Sequence, residues 1–370
     1  MDVIVAGLGA VGSAAAWRLA VAGHRVIGFD RFDPPHALGS THGDSRITRV
    51  TAWEGPEYVP LVQRAFALWP ELERHAGQPL FVRTGGVFLA PPGDRLVAGS
   101  RASAESHGVP FEVLSAADVI ERWPWLTPSA GQVGFVDPGA GMLFPERAVR
   151  AALARARALG ATLHPNEPML SWRADGDGVA VTTAHGTYRA DRLIITTGAW
   201  MPEVLGALGV QLQIERLTLH WFAERAGGPA FGPASAPVLV VADAETHATA
   251  IFPTVDGAIK VATHGGGEFT TADAVDRTIR PGEADFAKRV LQRFVPSVTG
   301  ALLRSTTCLY TNTPNGQFIL DRHPAHPQVV IGSPCNGFGF KFSAASGEAL
   351  MALATGVTPA VPLDAWRLPR

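Results

Sequence analysis

The opening stretch MDVIVAGLGAVGSAAAWRLAVAGHRVIGFD, residues 1–30, constrains the fold more than any other part of the chain. Residues 3–5 read as a short buried strand, Gly7, Gly9 and Gly12 satisfy GxGxxG, the alanine-rich run to Ala22 reads as a helix, and residues 25–29 as a second strand. Asp30 ends that strand, about twenty residues beyond the glycines, at the spacing a dinucleotide site uses. Glycines let the main chain approach a pyrophosphate, and a helix N-terminus turns free N–H groups and a partial positive charge toward it. Asp30 can accept hydrogen bonds from ribose hydroxyls and repels a 2′-phosphate, which disfavours NADP. NAD and FAD both stay open.

Beyond this unit the same theme returns in pieces. Residues 146–165 read as a helix leading to a strand, and 179–200 as hairpin strands followed by a buried strand ending at Gly198. Residues 329–354 read as strand, glycine loop and helix. Two stretches richer in alternating strands, 81–141 and 214–314, interrupt the series. At 370 residues the chain exceeds a usual single domain. The expected fold is therefore α/β (α+β): a Rossmann-like dinucleotide-binding domain from residues 1–80, 142–213 and 315–370, carrying an inserted mixed β-sheet substrate domain from residues 81–141 and 214–314.

A formal charge of −2 with no basic run leaves no electrostatic footprint for nucleic acid. No apolar run reaches the ~18 residues of a membrane span, and residues 1–10 pass directly into a strand without the pattern of a secretion signal. Two cysteines, Cys308 and Cys335, are too few for a disulfide framework and suit a reducing compartment. A cytoplasmic protein is expected.

Of the 31 basic residues only Lys260, Lys288 and Lys341 are lysines. Where arginine fills nearly every cationic role, a surviving lysine suggests a need for a compact point charge. Lys341 stands between Phe340 and Phe342 in GFGFKFS, where its ammonium is costly unless an anion compensates it. Lys260 stands among Ile259, Val261 and Ala262 in AIKVATHGGG, a strand pattern in which it guards an exposed edge or serves a buried site. Lys288, in FAKRVLQRF, belongs to the polar face of an amphipathic helix. In GSTHGDSRITRV, His42, Arg46 and Arg49 form either a solvated loop or a clamp whose guanidinium forks fit a carboxylate. Arg46 and Arg49 would share a face if a helical turn began there. Cys308 is flanked by β-formers and reads as a small buried hydrophobe. Neither cysteine has zinc-site spacing, and no GxSxG or HExxH occurs, so no metal is expected and the chemistry must come from a bound cofactor.

The segments GLGAVGSAAAWRLAVAG, FDPPHALGSTHGDSRITR, EYVPLVQRAFALWPELE, TTGAW, TTCLYTNTPNGQFILDRHP and GFGFKFS resemble, in order and over nearly the whole chain, the monomeric sarcosine oxidase and N-methyltryptophan oxidase family of FAD-dependent amino acid oxidases. The resemblance implies FAD attached through an 8α-S-cysteinyl bond at Cys308. It matches Lys260 to a lysine that activates dioxygen, Arg49 and Lys341 to the pair gripping the substrate carboxylate, and Arg46 and His42 to residues close to the flavin. His264 falls in the family's histidine-bearing stretch. Gly43 and Ser45 beside His42, Gly198 in TTGAW, and Gly337, Gly339 and Phe340 before Lys341 are expected to join Gly7, Gly9, Gly12 and Asp30 around the cofactor.

Two departures bear on the substrate. Phe338 stands where the family commonly has a histidine, and Ala250 where it commonly has a tyrosine, which implies a larger, more apolar amine pocket. The expected activity is oxidation of the C–N bond of an N-methyl or N-alkyl amino acid, with O2 reduced to H2O2 and the imine hydrolysed to aldehyde and amine. The expected partners are a secondary amine and O2, and the expected state is a monomer. Alternatives are an oxidase of a cyclic imino acid or sugar-modified amine, a flavin dehydrogenase using another acceptor, and a non-catalytic flavin-binding subunit.

Overall fold

A computed structural model of the chain describes residues 1–243 and 247–368. The expected first unit forms as strand Asp2–Ala6 (β1), helix Ala10–Val21 (α1) and strand Arg25–Phe29 (β2). Val3 to Ala6 are all buried, because β1 is central and covered on both faces, the setting in which a parallel strand becomes continuously apolar. The six-stranded sheet runs Ile319–His323, His326–Ser333, Arg192–Ile195, β1, β2, Thr162–His164. Its pairs are parallel except the first, an antiparallel hairpin.

Helices Pro145–Ala158 and Ser343–Thr355 pack against α1. The fit against the second is close: a Cβ on Gly347 would stand 2.6 Å from Ala14 Cβ. This explains the small residues on both helices. The strand expected to reach Gly198 stops at Ile195, and Gly198 instead begins a 3-10 turn, Gly198–Trp200. Thr196 causes the exit, with its Oγ1 donating to the Gly7 carbonyl at 2.8 Å.

The second sheet has nine strands, ordered Glu268–Thr270, Gln213–Glu224, Ala258–Thr263, Thr249–Ile251, Val238–Val241, Gly86–Ala90, Val133–Asp137, Glu112–Leu114, with Thr299–Asn312 also paired to Gln213–Glu224. It is mixed, since Val238–Val241 runs parallel to Gly86–Ala90 while the other pairs are antiparallel. One face packs Leu239, Ile251, Ile259, Val261 and Phe222 under helix Asp285–Phe294. Strand alternation then turns Val240, Ala250, Lys260, Ala262 and Trp221 to the opposite face.

Residues 46–49 hold no helical turn. Arg46–Thr48 is a strand paired with Gly141–Leu143, which also pairs with Phe81–Arg83. Three residues apart on an extended chain, Arg46 and Arg49 do not share a face. Among the described residues, no helix is long and apolar enough to cross a membrane.

Candidate active site

Between the two sheets lies a cavity of about 540 Å³, running from the N-terminus of α1 to the small-residue face of the large sheet. Gly7, Gly9, Asp30 and Gly198 line one end. Gly9 caps α1, and in the first turn Ala10 N donates to Thr41 Oγ1 at 3.3 Å. Asp30, 7 % exposed, accepts from Leu8 N at 2.7 Å and Phe32 N at 2.9 Å, which fixes its carboxylate at the end of β2. Gly12 does not line the cavity. Its role is to let α1 start close to the glycine turn, because a Cβ there would run into the Gly7 carbonyl.

The other end holds the cations. Lys260, on strand Ala258–Thr263, is 3 % exposed and is therefore no edge guard. Its Nζ donates to the Ser45 carbonyl and lies 4.9 Å from the Phe252 ring centroid and 5.9 Å from that of Trp221. Burial, reinforced by the nearby Arg46 charge, pushes its pKa well below the ordinary lysine value. Arg46 donates to Ser45 O and Ser40 O, both at 3.0 Å, and its Nη2 is 3.7 Å from Cys308 Sγ. Cys308, on Thr299–Asn312, is 2 % exposed, packs with Leu219 and Trp221 as a small buried side chain, and also lines the cavity.

Four expected cofactor residues stand back from the wall: Gly12, His42, Gly43 and Ser45. His42 is 4 % exposed, and burial together with Arg46 and Lys260 depresses its pKa to about 3, leaving a neutral imidazole. Ser45 acts through its carbonyl. These residues shape the wall from behind because the segment from His42 to Ser45 runs under Arg46.

Arg49 and Lys341 meet at a residue the sequence reading missed, Glu54. Glu54 Oε1 accepts from Arg49 Nη2 at 2.6 Å and from Lys341 Nζ at 2.9 Å, with all three side chains nearly buried. The anion that makes Lys341 tolerable between phenylalanines is thus internal. Burial alone would raise the Glu54 carboxyl, but Arg49 and Lys341 overcome it and hold it at about 2. Burial pulls Lys341 down to about 7 despite Glu54. Glu54 Oε2 and Arg49 Nε are buried with no hydrogen-bond partner among the described residues, so the cluster retains unused polar capacity.

Trp53 lies under the Arg49 guanidinium, 3.4 Å from carbon to ring centroid. Asp137, fully buried, tethers the segment by accepting from Val50 N, Thr51 N and Thr51 Oγ1. Gly337, Phe338, Gly339 and Phe340 also line the cavity, and Lys341 Nζ donates to the Phe338 carbonyl at 3.2 Å. His264 Nδ1 is 3.4 Å from Tyr310 Oη, another lining group absent from the sequence reading. Burial lowers the His264 pKa and raises that of Tyr310. The large sheet's contribution is a row set by register: Val240 opposite Ala250, and Ala250 opposite Ala262.

The glycine turn and Asp30 thus share one cavity with a thiol, a buried lysine and the Arg49–Glu54–Lys341 cluster. Residues 2–353 match the family described as FAD dependent oxidoreductase. The chain belongs to that family. Among relatives of this FAD dependent oxidoreductase, the monomeric sarcosine oxidase of Streptomyces avermitilis is 42 % identical over 366 residues, covering 98 % of this chain and 95 % of the relative. The N-methyl-L-tryptophan oxidase of Salmonella newport is 33 % identical over 371 residues, covering 100 % and 98 %.

Two solved structures share the fold. NikD, an amino acid oxidase essential for nikkomycin biosynthesis, aligns with a TM-score of 0.86 at 24 % identity, over 99 % of this chain and 96 % of that one. L-proline dehydrogenase from P. horikoshii aligns with a TM-score of 0.83 at 20 % identity, with the same coverage, 99 % and 96 %. The residues present fit FAD: the close approach at Gly12 that a Cβ would block, the buried Asp30 carboxylate fixed at the end of β2, and a cavity that runs from there to the large sheet.

Proposed function

We propose that this FAD-dependent enzyme oxidises the C–N bond of a secondary, N-methyl or N-alkyl, amino acid with O2 as electron acceptor. The observation that carries the reading is the buried Arg49–Glu54–Lys341 clamp with its unpartnered polar atoms, in the same cavity as Lys260 and Cys308. The resemblance to sarcosine and N-methyltryptophan oxidases supports it. FAD, when bound, accepts a hydride from the carbon attached to nitrogen and passes the electron pair to O2, which with two protons becomes H2O2. The imine left behind adds water and separates into an aldehyde and an amine.

The chain's own residues do the rest. Arg49 and Lys341 bind the substrate carboxylate alongside Glu54, and Trp53 keeps the Arg49 plane oriented. Phe338, Trp53 and the Val240–Ala250–Ala262 row surround the remainder of the substrate with apolar surface, leaving room for a bulkier group than methyl. Lys260 presents its amine for the reaction with O2. Cys308 Sγ would hold FAD through a thioether at the 8α carbon, a two-electron oxidative attachment for which O2 would be the acceptor. His42 and Arg46 hold the cofactor side of the cavity and His264 the substrate side. The same reading assigns residues 1–80, 142–213 and 315–370 to a cofactor domain and 81–141 and 214–314 to a substrate domain, in a monomer of the cytoplasm.

The attachment is tested by acid precipitation. Yellow colour should stay with the wild-type pellet and leave with the supernatant in Cys308→Ser. Colour retained by Cys308→Ser refutes the assignment. For the oxygen role, Lys260→Met should leave reduction by substrate near normal and slow reoxidation at least tenfold, roughly the loss of one preorganised charge. Unchanged reoxidation excludes it.

A further inference from the structure

The turn behind Lys260 is held by Glu146, which lies outside the cavity wall. Gly43 and Asp44 take φ values of +99° and +64°, consecutive left-handed residues that bring successive main-chain N–H groups together. Both donate to Glu146 Oε1, at 2.6 and 3.2 Å, from the first turn of helix Pro145–Ala158. Ser45 N closes the turn on Gly43 O at 2.7 Å. The Ser45 carbonyl then accepts from Lys260 Nζ and from Arg46 Nη1.

From the other side Asp44 pairs with Arg304, whose guanidinium lies 3.7 Å from the Trp221 ring centroid. There is no slack between these grips. A Cβ on Gly43 would stand 3.2 Å from Arg46 Nη1 and 3.4 Å from Lys260 Nζ.

We infer that Glu146 is a positioning residue for Lys260: by gripping the 43–45 turn through two N–H groups, it fixes the one carbonyl that seats the Lys260 amine. The inference rests on the reading of Lys260 as the oxygen-site amine for its catalytic meaning, and on geometry alone for its structural one. Glu146 also carries charge of the right sign. With Asp44 it favours the protonated amine, against burial and Arg46.

Lysine scarcity makes the test direct, because flavin-loaded protein grown on 13C-lysine gives signals from only Lys260, Lys288 and Lys341. Glu146→Gln keeps an oxygen acceptor for both N–H groups and drops the charge; Glu146→Ala removes both. The Lys260 side-chain resonance should move in each variant, further in Glu146→Ala, while Lys288 and Lys341 stay in place. Anaerobic reduction by substrate should change less than about twofold, and reoxidation by O2 should slow about tenfold in Glu146→Ala, the worth of a charge-assisted hydrogen bond. A Lys260 resonance that is unmoved in both variants overturns the inference. A moved resonance with unchanged reoxidation supports the grip and counts against the oxygen role of Lys260, so the two failures are read separately.

Discussion

At the residue scale the site is governed by three buried charges that sum to one positive charge. Removing the carboxylate with Glu54→Gln leaves Arg49 and Lys341 facing each other without an anion, and should cost about 3–5 kcal/mol of stability. A carboxylate ligand should recover much of that loss, so the variant's melting temperature should rise with added ligand far more than the wild type's. A variant as stable as wild type without ligand would contradict the clamp.

Lys341 supplies a pH dependence. Held at about 7 by burial, it loses its proton as pH rises through that value, and affinity for a carboxylate inhibitor should fall across the same range. The unfolded chain keeps this proton up to the ordinary value of 10.5, so between about 7 and 10.5 the unfolded state binds more protons and this group's contribution to stability rises with pH. Glu54 has the same sign in a lower window. Its stabilisation is complete above its usual value of 4.5 and is lost as pH falls toward about 2. Calorimetric titration with an inhibitor across pH 6–9 checks the first claim, and a flat affinity would refute it. Lys341 was legible because its aromatic flanks made the charge conspicuous. Glu54 was not, since an acid in a polar loop looks the same whether its partner is water or two buried cations.

At the element scale the β1–α1–β2 unit was readable almost to the residue, because its signals are local: an apolar run, glycines at fixed spacing, an alanine-rich helix. The segment from Arg46 to Thr48 was not, because its partner strand Gly141–Leu143 lies far along the chain and pairing overrode any local turn preference. Gly12 offers the element-scale prediction. In Gly12→Ala the new methyl meets the Gly7 carbonyl, so α1 must shift from the cradle. The purified variant should carry less flavin per chain than wild type, measured by absorbance. A fully loaded Gly12→Ala protein would show that the close approach is not needed.

At the scale of the whole molecule, the site exists because two sheets of different kinds face each other across one cavity. Every strand of the nine-stranded sheet comes from residues 86–137 or 213–312, and its alternation sends Leu239, Ile251, Ile259 and Val261 to a helix-covered face and Val240, Ala250, Ala262 and Lys260 toward the cavity. Strand-rich stretches were visible in the sequence as patterns, but their register was not. Register is what lines up Val240, Ala250 and Ala262 and sets Lys260 opposite Trp221. The same docking puts the clamp, from residues 49, 54 and 341, over that row.

The central claim joins carboxylate clamp and flavin in one reaction, and anaerobic mixing of the yellow protein with matched amines tests it most directly. N-methyl amino acids with apolar side chains should bleach the flavin, and the same amines lacking the carboxylate should do so at least a hundredfold more slowly, as expected for about 3 kcal/mol of lost clamp binding. Equal bleaching by both sets, or by neither, would contradict the account.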